Sequence, residues 1–246
     1  MFEWFNVILT YPLFNLLVAL YNTIGLEDLG VAIIALTILI RLVLWPLSRR
    51  AIRAQRELQE LQPKIKEVQN KYRADRERQA KELMALYKEH HINPFGGCLP
   101  ILVQIPILIA LYRVFLHGTD PAFLSHLYSF VSSPGMLGTH FLTIVDLASP
   151  SIVLAVIAGI LQFIQSKMIS PRLKNSLSQG KGAGPEALSR MMTTQAVYVF
   201  PVVTVLISLT LPAGLPLYWA TTTLFTIVQQ FEIMGSRKSS ARHGEK

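Results

Sequence analysis

Apolar residues gather in long blocks along this chain, and the blocks set the fold class. Five stretches, residues 29–47, 98–116, 150–168, 194–211 and 214–233, are apolar over nearly the full run. A helix needs about 20 such residues to cross roughly 30 Å of hydrocarbon. Between the first two the pattern changes. Leu58, Leu61, Ile65, Val68 and Tyr72 recur at spacings of 3, 4, 3 and 4, the apolar stripe of a coiled-coil helix. Pro63 predicts a kink within it. After a break near Ala74 and Asp75, a second striped helix carries Ala80, Leu83, Tyr87 and one of His90 and His91. Together they predict an antiparallel helical hairpin over 49–95, ended by Asn93-Pro94 and Gly96-Gly97.

Residues 4–24 are apolar too, but Pro12 interrupts them, and Asn15 and Asn22 lie seven apart on one face. They are read as a helix in the membrane interface, within an outer segment 1–25, with Trp4, Tyr11 and Tyr21 as aromatic anchors. A sixth span is the alternative.

Charge orients these elements. Only 15% of residues are charged, against about 25% in soluble domains. The net charge is +8, which by itself would suit a nucleic-acid binder, but its distribution does not. Twelve Lys and Arg fall between Ser48 and Gly96, five between Lys167 and Arg190, and four after Gly235. Residues 1–40 and 114–166 contain none. Positive segments stay on the cytosolic side. All three blocks are inside if the N-terminus is outside and the C-terminus is cytosolic. The expected units are then a first span over 26–48, the cytosolic hairpin, and four spans over 96–234. Those four spans include an outer loop 117–149 and a cytosolic loop 169–193. A disordered basic tail, 235–246, follows. Cys98 is the only cysteine, so no internal disulfide is expected. No cleavable signal is evident at the start.

One residue stands out against this background. Arg41 lies twelve residues from Leu29 and eight from Arg49, within the first apolar block. An arginine at that depth costs at least roughly 2.5–3.5 kcal/mol on insertion scales. No span interior offers Asp or Glu as a partner. Neutral groups are the candidates: Thr37 one turn earlier, and Gln104, Gln162 and Gln165 in other spans. They suggest a hydrated pocket open to the cytosol. The bland alternative for Arg41 is a packing role against backbone carbonyls. The glutamines could equally be interhelical glue. Arg113, near an outer helix end, is expected to snorkel. His90 and His91 are adjacent and lack nearby cysteines, so no zinc site is expected. No phosphate-binding loop or catalytic constellation is present, and neither an enzyme nor a cofactor is expected.

At LTILIRLVLWPLSRR (36–50), LQPKIKEVQNKY (61–72), KELMALYKEHHINPFGGCLPILVQIPILIALYRVF (81–115), FIQSKMISP (163–171) and LPAGLPLYWATTTLFTIVQQ (211–230), the chain resembles the YidC-type membrane protein insertases and their mitochondrial and thylakoid relatives. The resemblance implies an all-α integral membrane protein of the bacterial inner membrane. Five transmembrane helices would surround a hydrophilic groove open to the cytosol. It implies groove roles for Arg41, Thr37, Gln162 and Gln165, and for an aromatic pair, Tyr218 and Trp219. The implied activity is insertion and folding of short hydrophobic proteins without nucleotide hydrolysis. The implied partners are nascent membrane proteins, lipids, the Sec translocon and the ribosome. Two rivals remain from the residues alone: a small-anion transporter or channel using Arg41, and a membrane scaffold working through the hairpin.

Overall fold

A computed structural model describes residues 3–93, 99–118, 120–169 and 195–243. The rest of the expected junction, Pro94 to Gly97, and nearly all of the expected loop 169–193 lie outside the described residues.

The described chain is almost wholly helical. In order come α1 (Glu3–Thr23), α2 (Leu29–Val43), α3 (Trp45–Glu60), α4 (Gln62–Lys71), α5 (Arg76–Glu89) and α6 (Leu99–His117). Then follow the short α7 (Pro121–Leu124), a two-stranded hairpin of β1 (His140–Phe141) and β2 (Val145–Asp146), and α8 (Ile152–Ile169). The last two are α9 (Phe200–Ser208), entered through a π turn at Gln195–Val199, and α10 (Gly214–His243).

Prolines meet several of these helices, and the backbone answers them in different ways. A proline removes one helical hydrogen bond and its ring crowds the carbonyl four residues back. At Pro12 the helix does not break as expected. A π turn at Asn6–Thr10 widens the coil just ahead, with the Tyr11 N–H donating to the Asn6 carbonyl. Pro201 is likewise preceded by the π turn Gln195–Val199. Pro106 is carried inside α6. At Pro46 the chain bends instead. Helix α2 ends at Val43, and α3 leaves at 69°. The first apolar helix therefore stops four residues short of the expected 47. The expected kink at Pro63 is also displaced: α3 ends at Glu60, Leu61 forms the corner, and Pro63 sits in the first turn of α4.

Helices α4 and α5 pack against each other. Gln79 donates from Nε2 to the Gln69 carbonyl at 2.8 Å, and Lys64 Nζ meets His90 Nε2 at 2.9 Å. Pairing 69 with 79 and 64 with 90 makes the two helices antiparallel. Helix α10 continues to His243, through residues expected to form the basic tail. Residues 235–243 contain no proline, and extending a formed helix is far easier than starting one.

The outward surface is inverted relative to a soluble protein. Helix α8 exposes Ile152, Val153, Val156, Ile157, Ile160 and Ile164 while burying the smaller Ala155 and Ala158. Helix α9 exposes Phe200, Val202, Val203, Leu206 and Ile207 and buries Thr204 and Ser208. Large apolar side chains outside and small or polar ones between helices are what a lipid solvent selects. By length and apolarity, α1 alone meets the requirement for crossing a bilayer among the described residues. The bent pair α2–α3 meets it together, and the apolar parts of α6, α8 and α9 are shorter.

The core joins α1, α2, α6 and the start of α10 around Phe14, Leu17, Ile33, Leu36, Leu111 and Leu215. Tyr21, expected as an interface anchor, is buried here, its hydroxyl accepting from the Gly138 N–H at 2.9 Å. It points inward because the 120–147 segment folds back over α1. The β hairpin seats on α2, where the Phe141 ring occupies the space a Cβ on Gly30 would need.

Candidate functional site

Arg41 lies in the last turn of α2. The apolar run of α2 gives it a helix, and the break at Pro46 ends that helix two residues later. Arg41 is half-buried, and its Nη2 donates to Gln104 Oε1 at 3.2 Å. Gln104, on α6, donates from Nε2 to the Tyr218 hydroxyl at 2.7 Å. Tyr218 is buried in the second turn of α10. Three helices thus meet in one relay, Arg41 to Gln104 to Tyr218, in which every donor points the same way.

Among the described residues no carboxylate pairs with Arg41; the ion pairs there are Arg56–Glu60 and His117–Asp120. Guanidinium has five N–H donors and no acceptor, and one donor goes to Gln104. A carboxamide accepting from a cation at one end becomes a stronger donor at the other. The relay therefore offers donors and positive charge. It suits a carboxylate or a carbonyl oxygen, and it repels cations.

The other expected residues divide. Thr37 is buried and its hydroxyl donates to the Ile33 carbonyl at 2.6 Å, within its own helix. Gln162 and Gln165 are half-buried on α8, and among the described residues neither is bonded to the relay. Trp219 is half-buried beside Tyr218, turned about 100° from it around the helix. Arg113 does not simply reach for water: its Nη1 donates to Asn6 Oδ1 at 2.6 Å, in the π turn of α1. The widened turn presents Asn6 toward α6, which sequence spacing could not show.

Sequence reasoning missed a polar stripe on α10. Thr222, Gln229 and Gln230 are buried there. Both amide atoms of Gln229 and the Gln230 Oε1 have no hydrogen-bond partner among the described residues. Thr222 and Gln229 follow Tyr218 at four and eleven residues, which keeps all three within about 40° on one face. Polar residues at that spacing inside an apolar block were the available signal.

Residues 19–240 match the model of the 60Kd inner membrane protein family. A Fusobacterium nucleatum protein named membrane protein insertase YidC is 36% identical over 84% of this chain and 86% of its own length. Its namesake from Clostridium tetani is 38% identical over 87% of this chain and 84% of its own. The Geobacter sulfurreducens protein of that name is 35% identical over 94% of this chain, which covers 38% of that longer protein.

Proposed function

The chain belongs to the 60Kd inner membrane protein family, and from that premise we propose that it inserts short hydrophobic proteins into the inner membrane through a groove centred on Arg41. The observation that carries this is the relay: a cation held by neutral groups alone, in a protein whose outward surface is apolar. An incoming acidic or carbonyl-bearing segment would displace water at Arg41. Its apolar part would then leave along α8 and α10 into lipid, driven by the hydrophobic effect. No nucleotide is required, because the groove lowers a transfer barrier rather than breaking a bond.

In this reading α2 with the start of α3, α6, α8, α9 and the first two-thirds of α10 are the five crossings. Helix α1 lies in the outer interface. Its bonds to the outer segment support that placement. Tyr11 stacks on His126 at 4.2 Å between ring centroids, Asn15 accepts from the Tyr128 N–H at 2.6 Å, and Asn22 donates to the Ser132 carbonyl at 2.7 Å. A crossing helix would meet an outer loop at one end. Here the contacts run from Tyr11 to Asn22, about 16 Å of helix. The N-terminus is then outside, and the α4–α5 hairpin cytosolic, where it would receive substrates and docking partners, the Sec translocon and the ribosome among them.

Photo-crosslinking probes at Arg41, Gln165 and Trp219, with a stalled nascent single-span protein, test the groove. Adducts are expected at all three, with or without further adducts on the hairpin. Adducts confined to the hairpin would replace the groove with a scaffold role.

A further inference from the structure

The segment joining α1 to α2 carries an apolar surface that the groove does not use. Leu26 is 86% exposed, and Ile144 and Leu142, on the β hairpin, are 83% and 56% exposed. Asp28 locks the two turns together. Its Oδ1 caps α2 by accepting from the Val31 N–H at 3.0 Å, and its Oδ2 accepts from the Leu142 N–H at 2.6 Å. Leu26, Leu142 and Ile144 are therefore parts of one rigid cap, not loose loop residues.

Two features of this cap oppose a role in folding. Leu26 and Leu142 have φ of +48° and +50°. That left-handed conformation is costly for a bulky side chain and free for glycine. Both side chains also stand largely outside the fold. A leucine that strains the backbone and packs on so little within its own chain is useful only if something outside covers it.

We propose that this cap is a lipid-inserting surface that sinks Leu26, Leu142 and Ile144 into the acyl boundary of the outer leaflet. Position is the first reason. Helix α2 begins at Leu29, one residue after the turn, so a crossing α2 sets the cap at the hydrocarbon edge. Chemistry is the second. The three side chains are aliphatic, without the aromatic and arginine anchors that mark protein interfaces. Lipid asks for apolar area and no shape match. Glu27, exposed in the same turn, limits the depth, since its carboxylate stays among headgroups. The cap and α1 would then hold the outer side of the protein at a fixed depth while the groove works from the other side. The inference rests on α2 crossing the membrane, as proposed above.

Spin labels on single cysteines test it, in a chain with Cys98→Ser, reconstituted in vesicles of zwitterionic and anionic phospholipid. Labels go on Leu26→Cys, Leu142→Cys and Ile144→Cys, whose side chains are exposed enough to leave packing intact. Ile160→Cys on the outward face of α8 serves as the hydrocarbon reference, and Ala74→Cys in the hairpin turn as the aqueous one. Collision rates with oxygen and with a water-soluble nickel chelate are compared. The expected oxygen-to-nickel ratio at the three cap positions is close to that of Ile160 and several-fold above Ala74. Cap ratios equal to Ala74, with Ile160 still lipid-like, overturn the inference and leave the insertase reading standing. A water-like Ile160 overturns both. Cap labels that are water-like in vesicles but shielded from both reagents in native membranes overturn lipid insertion in favour of a protein partner.

Discussion

Replacing Arg41 by alanine removes the one charge in the relay and leaves Gln104 Oε1 without its donor. A hydrogen bond to a charged group contributes about 1.5–3 kcal/mol. If an acidic substrate residue docks at Arg41, losing that contact slows insertion roughly tenfold to a hundredfold, at 1.36 kcal/mol per tenfold. Arg41 is only half-buried, which favours the lower end, because water screens the attraction. Two single-span substrates, identical except for an acidic or a neutral translocated tail, separate attraction from mere hydration. Insertion into vesicles is followed by protease protection. The Ala variant should slow the acidic substrate by that factor and the neutral one by less than about threefold. Arg41→Lys keeps the charge and should largely preserve insertion. Added salt should narrow the gap between the substrates in the wild type. An equal loss for both tails would refute electrostatic docking, and no loss for either would remove Arg41 from the mechanism.

Three further outcomes follow from the packing. Gln229 is 1% exposed with neither amide atom bonded among the described residues, so Gln229→Leu should stabilise the fold by about 1–3 kcal/mol, read as a rise in thermal midpoint in detergent. At Gly159, a Cβ would run into Val205 and crowd the Pro201 carbonyl; Gly159→Val should destabilise by about 1–3 kcal/mol through overpacking, checked by the same melt against Ala158→Gly. Asp146 accepts from the Ser149 hydroxyl and from the Ala148 N–H, which hold its carboxyl below the ordinary carboxylate range. A lowered folded-state pKa means the contribution is present above the ordinary value and lost as pH falls through the lowered one. The protection factor of the Ala148 amide, its intrinsic rate divided by its observed rate at each pH, should therefore fall as pH drops in the wild type and be low at every pH in Asp146→Ala.

The apolar blocks marked each long helix because a period of several turns survives in sequence. The hairpin stripe at Leu61 and Ile65, both buried, was visible for the same reason. Helix ends were not, since they depend on how each proline is accommodated. Pro12 and Pro201 look alike in sequence to Pro46, yet the first two follow π turns and the third bends the chain. Arg41 was legible as a charge without a carboxylate. Its partners were only half legible. Gln104 could be guessed as polar and nearby, but its bridging to Tyr218 requires α6 to come up against the seam where α2 and α10 pack directly. Thr37 was expected to help solvate Arg41 because it lies one turn away. A threonine in a helix can instead satisfy itself on the carbonyl four residues back, and Thr37 does.

The bend at Pro46 also changes what Arg41 means. Counted along a straight helix, Arg41 lies roughly 12 Å inside the charged edge at Arg49. Helix α2 stops at Val43, however, and the next residues run off at 69°. Only about a third of their length then adds depth, so the guanidinium lies a few ångströms from the end of its helix, the cytosolic end in the orientation proposed above. In that orientation cytosolic water would reach the cation there, which would let it keep its charge with one neutral bond in place of an ion pair. That position also separates two tasks that a buried ion pair would merge. A carboxylate from the protein would neutralise Arg41 and close the site. Gln104 holds the side chain in place and leaves its charge available. A substrate carboxylate arriving from the cytosol would then meet a positioned, uncompensated donor at the point where it must begin to leave water.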